Sequence, residues 1–104
     1  MARLLALALV FSSALAAAEA PDVRGFFGRH CTACHNDTAK TAGLSLTADD
    51  PAALPHAALE ASIARLRGGL MPPPGLPRPD DAERQAVVAW MEARLEEAAA
   101  SAPN

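Results

Sequence analysis

Apolar residues recur at helical spacing in three separate stretches of the chain, and no stretch alternates between apolar and polar residues as a half-buried strand does. The first stretch, residues 21–30, is short, whereas the other two are longer and each carries an apolar face. In chain order the apolar residues are Phe26 and Phe27, then Leu59, Ile63 and Leu66, then Val87, Trp90, Met91 and Leu95. The pattern predicts an all-α fold of three to four helices.

Residues that favour helix ends mark both ends of the second stretch and the start of the third. Asp50 before Pro51 is typical of an N-cap followed by proline, Pro55 interrupts again, and Gly68-Gly69 predicts the end of that helix. Asp80, with Glu83 three residues later, resembles a capping box and predicts the start of the last helix.

The segments between the helices have loop composition. Residues 36–49 show little periodicity, so we expect at most one turn of structure there. Residues 70–79 contain five of the nine prolines, which excludes a helix interior or a central strand and predicts a stiff, extended loop. The small, polar residues 101–104 are expected to fray.

The first eighteen residues have the order of a secretory signal peptide. Arg3 precedes the apolar run Leu4–Phe11, and an A-x-A site ends at Ala18. We therefore expect residues 1–18 to be removed and residues 19–104 to form one domain in the periplasm or another exported space. The alternative is an uncleaved anchor, but the run is shorter than the roughly 20 apolar residues that span a bilayer, so we expect no stable membrane insertion after cleavage.

Composition limits what the domain can do alone. Hydrophobic residues make up 51% of the chain, but about half of them are alanine and only 4% of all residues are aromatic. Such a small core usually needs a disulfide, a metal or a bound group. The net charge of -3 argues against a nucleic-acid partner, which would require a clustered basic face.

The chain's only two cysteines lie in the sequence Cys31-Thr32-Ala33-Cys34-His35. This C-x-x-C-H pattern is the attachment signal for c-type haem. Thiols at i and i+3 can reach the two haem vinyl groups, and the adjacent histidine is then placed to bind the iron. The motif predicts one covalently attached haem c held by Cys31, Cys34 and His35.

Three other uses of these cysteines compete with haem attachment. A redox-active pair normally follows a strand in a βαβ fold, and the pattern predicts no strand. A zinc site would need two more ligands, and His30 and His56 do not give a usual finger spacing. A structural disulfide would close a very small loop and stabilise little.

Met71 is the predicted sixth ligand of the iron. It follows Gly68-Gly69, which would let the backbone approach a flat ring, and it precedes the stiff prolines Pro72–Pro74. Met91 lies on the apolar face of the last helix and is expected to be core. His56 is an alternative ligand, and His30 lies too close to Cys31 to reach the opposite face of a haem. Arg65 and Arg67 are candidates for the haem propionates, or they simply stabilise the end of their helix.

Together these residues resemble a class I c-type cytochrome: Phe27 four positions before Cys31, the C-x-x-C-H sequence, Met71-Pro72-Pro73, and Trp90 in the terminal helix. More narrowly, 40–46 and 69–75 are similar to the cytochrome c domains that begin large planctomycete-type secreted multidomain proteins, so the chain could be a front module of such a protein.

The resemblance implies that the first and last helices cross beside the haem, with Phe27 and Trp90 at the contact. Two departures from the family pattern stand out. The glycine that often lets these helices cross falls at Val23, so the crossing is expected to be looser or to use Gly25. The family's proline-bearing loop, whose carbonyl accepts the proton of the haem histidine, has no counterpart before Pro51, which leaves the partner of His35 unidentified.

The sequence thus predicts a periplasmic carrier of single electrons, not an enzyme, with His35 and Met71 as axial ligands and other redox proteins as partners. The alternative is a sensory or enzyme-associated haem domain in which the sixth ligand is displaced. A non-haem interaction module is the third possibility.

Overall fold

The computed structural model describes residues 19–102, which form three α-helices. They are α1 (Val23–His30), α2 (His56–Arg67) and α3 (Asp81–Ser101), and single 3₁₀ turns lie at Thr41–Gly43 and Pro51–Ala53. No strand occurs in this part of the chain, so the predicted all-α fold is confirmed. The signal peptide predicted at residues 1–18 lies outside the described residues.

Helix α1 begins at an aspartate cap. The Asp22 carboxylate accepts a hydrogen bond from the Gly25 amide at 2.9 Å, which satisfies one of the free N–H groups of the first turn. A Cβ at position 25 would collide with this carboxylate. Gly25 therefore leaves room for the cap.

Helix α2 begins later than Asp50. The Asp50 carboxylate caps the separate turn at Pro51–Ala53 by accepting from the Ala52 amide at 3.0 Å, and α2 itself starts after Pro55. The helix ends at Gly68, and Gly69 then turns the chain with a φ of 69°, a left-handed conformation that glycine adopts at little cost.

Helix α3 begins where the sequence predicts, but without the predicted capping box. The Asp80 side chain makes no cap hydrogen bond, and the Glu83 carboxylate pairs instead with Arg29 of α1. This ion pair joins the last turn of α1 to the first turn of α3. The Glu83 carboxylate, which the sequence pattern predicts to cap α3, therefore makes a tertiary contact instead.

The core collects the predicted apolar faces of all three helices. Its fully buried side chains are Phe26, Phe27, Leu59, Val87 and Met91, and Trp90 packs against it half-buried with Arg94 over its ring. The helix backbones approach most extensively between α2 and α3. Val23, which stands where the family pattern often has a glycine, is buried in the core.

None of the helices in residues 19–102 is long and apolar enough to cross a membrane.

Candidate functional site

A cavity of about 1050 Å³ opens between the end of α1, the loop after it, α2 and the proline-rich segment. Its wall is built mainly from apolar side chains, among them Phe27, Leu46, Leu54, Ala58 and Leu66. These residues belong to the same cluster as the core, so one side of the core is the wall of the cavity. The molecule therefore has space for a large apolar group next to its core, which contains few aromatic side chains.

Both cysteines line this cavity as free thiols. Backbone hydrogen bonds from the amides of Cys31 to Phe27 (2.8 Å) and of His35 to Cys31 (2.9 Å) continue the turn of α1 through the motif. Burial raises the pKa of the Cys31 thiol to about 11, so the group is a neutral thiol at pH 7. A redox-active pair needs a lowered thiol pKa, so this burial argues against a disulfide oxidoreductase.

The imidazole of His35 lines the cavity and is held from behind by a backbone oxygen. Its Nδ1 lies 2.9 Å from the carbonyl oxygen of Thr41. Because a carbonyl only accepts hydrogen bonds, Nδ1 carries the proton and Nε2 is left as the ring's free electron-pair donor. Thr41 therefore supplies the partner that the sequence left unidentified, from a loop without proline.

Asn36 organises the loop that delivers this oxygen. Its amide donates to the Thr32 carbonyl at 2.8 Å, while its Oδ1 accepts from the amides of Thr38 (3.0 Å) and Ala39 (2.7 Å). The chain then turns through left-handed residues at Lys40, Ala42 and Gly43, with φ of 42°, 56° and 73°. The sequence signal was the asparagine directly after the motif, since asparagine often binds the backbone two or three residues on.

Met71 reaches the same cavity from the proline-rich segment. It is half-buried and follows directly on the end of α2, where the Arg65 carbonyl accepts from the Leu70 amide at 3.0 Å. As expected for residues 70–79, the segment contains neither helix nor strand. The fold thus brings Cys31, Cys34, His35 and Met71 to one cavity.

Two of the three other candidate ligands lie outside the cavity lining. Met91 is fully buried in the core and does not line the cavity. His56 is exposed at the start of α2, also away from the cavity lining. His30 does line the cavity, and its ring lies 5.0 Å from that of Phe26.

The two arginines at the end of α2 differ in their surroundings. Arg65 lines the cavity, whereas Arg67 forms an ion pair with Glu92 of α3 and lies outside the lining. Lys40 is a further cationic residue of the cavity wall, and Asp37 is its one acidic residue within residues 19–102. Arg29 also lines the wall, but its charge is paired with Glu83. This wall favours an anionic group at its polar edge.

The donor set fits a haem c. Two free thiols three residues apart, an imidazole with a free Nε2 and a thioether all line one apolar cavity. A zinc site has no comparable support, because no group of three or more His, Cys, Asp or Glu residues within residues 19–102 is placed to hold a metal ion.

The family model described as "Cytochrome C oxidase, cbb3-type, subunit III" matches residues 18–91. The matched range includes every residue that lines the cavity. It confirms the resemblance to a c-type cytochrome that the motifs indicated. No curated protein and no solved structure matches the chain.

Proposed function

The chain belongs to the cytochrome c oxidase, cbb3-type, subunit III family, a family of c-type cytochrome domains, and from this membership we propose that it is a mono-haem electron carrier and not an enzyme. Cys31 and Cys34 hold one haem covalently, and His35 and Met71 are its axial ligands. The carrier works in the periplasm or an equivalent exported space and exchanges electrons with other redox proteins.

The observation that carries the proposal is the meeting of four donors at one apolar cavity. Cys31, Cys34 and His35 arrive on a single turn after α1, and Met71 arrives from a separate segment some forty residues later. The position of Met71 on the same cavity wall as the C-x-x-C-H turn supports a role as a ligand over that of an ordinary surface residue. The apolar wall would also exclude water from the bound group, which is the protein's share in setting its redox behaviour.

When bound, the haem supplies reversible one-electron exchange at its iron. The residues of this chain fix its place and its electronic surroundings. His35 presents Nε2, and the hydrogen bond from Nδ1 to the Thr41 carbonyl fixes the ring and raises its basicity. The Met71 thioether is a soft ligand that raises the reduction potential by favouring the ferrous state. Arg65 and Lys40 offer positive charge to the propionates.

The test is made on the protein expressed with a c-haem maturation system. Haem staining of a denaturing gel should show colour that stays with the chain and is lost in the Cys31→Ala, Cys34→Ala double variant. Colour lost on denaturation of the unmutated protein would disprove covalent attachment.

The same preparation decides the ligation. Ferric protein should show the weak near-infrared sulfur-to-iron band, and ferrous protein should bind carbon monoxide poorly at neutral pH. Met71→Ala should abolish the band, open the sixth position and lower the potential. Met91→Ala is the matched control: it should keep the band and cost about 2 to 5 kcal/mol of stability, because its side chain is fully buried. Rapid carbon monoxide binding by the unmutated protein would favour the sensor or enzyme-associated alternative.

A further inference from the structure

The segment around Met71 has few backbone groups with which to anchor itself. Pro72, Pro73 and Pro74 follow the methionine directly, and proline has no N–H to donate. On the other side, the amides of Leu70 and Met71 both point to the Arg65 carbonyl, at 3.0 and 3.4 Å. Beyond that point the segment can be held mainly through its carbonyl oxygens, and carbonyls need a donor from elsewhere.

Arg78 is that donor. One terminal nitrogen of its guanidinium donates to the Pro72 carbonyl at 2.9 Å, and the other donates to the Gly69 carbonyl at 2.8 Å. These two carbonyls lie on either side of Met71 in the chain. A planar guanidinium presents its donors in a rigid fork, so one side chain fixes the spacing of both carbonyls at once.

The position of Arg78 is itself restricted. It stands between Pro77 and Pro79, and a residue before proline is confined to extended conformations. Within residues 19–102 its guanidinium has no carboxylate partner, so no ion pair draws it away from the two carbonyls. Arg78 therefore lies on a conformationally restricted part of the segment and binds the backbone on both sides of Met71.

We propose that Arg78 is a positioning residue for the sixth ligand: by binding the Gly69 and Pro72 carbonyls it keeps the Met71 sulfur at the iron. This inference rests on the proposed ligation by Met71. Without the two hydrogen bonds the segment between Gly69 and Pro72 opens more easily, the sulfur leaves more often, and the sixth position becomes available to outside ligands. Arg78 then determines whether the domain remains a closed carrier.

The test compares haem-loaded unmutated protein with R78A, R78K and R24A. R24A is the matched control, because it also removes one exposed arginine that makes a surface contact, here to Asp49 at 3.2 Å, outside the cavity lining. The measurements are the near-infrared band as a function of urea, and the rate of carbon monoxide binding to ferrous protein. Global unfolding is followed separately by circular dichroism.

R78A loses both hydrogen bonds, and we expect the open form to be favoured by roughly tenfold, because each of two bonds from an exposed side chain contributes only modestly to the free energy. Carbon monoxide should bind faster by a similar factor, and the band should disappear at lower urea, before the helices unfold. R78K keeps the charge without the fork and should lie between R78A and the unmutated protein. R24A should match the unmutated protein.

An R78A protein with the unmutated band and carbon monoxide rate would overturn the inference while leaving the proposed function intact. If R78A retains no haem, R78K decides: unchanged behaviour there refutes the role of Arg78, and faster ligand binding with normal helix stability supports it. Absence of the band in the unmutated protein would instead refute the ligation by Met71.

Discussion

The imidazole of His35 depends on a backbone oxygen and not on a side chain. The Thr41 carbonyl accepts from Nδ1 at 2.9 Å, and the Thr41 amide is in turn tied to the Cys34 carbonyl at 3.1 Å. The side chain of Thr41 has no part in this contact. The side chain that sets the position of the oxygen is Asn36, which binds the chain on both sides of the turn.

Asn36→Ala is therefore expected to change the iron's surroundings although Asn36 does not touch them. Loss of its hydrogen bonds should loosen the Thr41 carbonyl, weaken the bond to Nδ1 and lower the basicity of the ligating nitrogen. Because a less basic ligand stabilises ferric iron less, the reduction potential should rise. Stability should fall by about 0.5 to 1.5 kcal/mol, since water can replace most of the lost partners of these largely exposed backbone groups.

Potentiometric titration with a matched control separates this effect from a general loss of structure. Thr41→Ala removes the side chain but keeps the carbonyl, so its potential should equal that of the unmutated protein. Equal potentials in Asn36→Ala and Thr41→Ala would show that Asn36 has only a structural role.

At the scale of elements, the sequence predicts α2 and α3 from their periodic apolar faces and α1 from its aromatic pair, Phe26 and Phe27. The apolar faces pack as expected, with Met91 in the core and Met71 at the cavity. The contact between the Thr41 carbonyl and His35 could not be predicted from the sequence. It depends on left-handed backbone conformations at Lys40 and Ala42, and lysine and alanine rarely adopt that conformation. The hydrogen bonds of Arg78 could not be predicted from the sequence either, because they join positions of a loop in which apolar and polar residues follow no periodic pattern.

The start of α3 shows how a tertiary contact can override a local motif. Glu83 occupies the position of a capping box but pairs with Arg29, and the two side chains are 34% and 51% exposed. An ion pair that is this open to solvent stabilises by about 0.2 to 1 kcal/mol. A capping residue would act within α3 and independently of α1.

A double-mutant cycle with Glu83→Ala and Arg29→Ala distinguishes these two roles. We expect each single variant to lose a few tenths of a kcal/mol, with a coupling free energy of about 0.2 to 1 kcal/mol that decreases at high salt. Urea unfolding at low and high ionic strength provides the measurement. If Glu83→Ala costs the same with and without Arg29, the carboxylate serves the helix start after all.

For the whole molecule, the fold begins very soon after the predicted cleavage site. Helix α1 starts at Val23 and its cap is Asp22, so a cut after Ala18 leaves the cap and three residues before it. A cut after Ala20 would leave Pro21 directly behind the scissile bond, which is sterically unfavourable for a protease. Both cuts would preserve α1, so the choice between them depends on the small-residue rule and not on the fold.

The exported chain should therefore begin at Glu19, and two single variants test this. Ala18→Leu places a large side chain at the residue before the predicted cut and should block processing, because signal cleavage requires a small residue there. Ala20→Leu changes the second residue after the cut and should be processed normally. Intact-mass spectrometry of periplasmic and membrane fractions measures both outcomes: the Ala18→Leu chain should keep its first eighteen residues and sediment with membranes, and the Ala20→Leu chain should appear in the periplasm starting at Glu19. Blocked processing of Ala20→Leu would place the cut after Ala20, because only that cut requires a small residue at position 20, whereas Ala18 belongs to the A-x-A triplet of both sites. An unprocessed chain without either substitution would favour a membrane anchor.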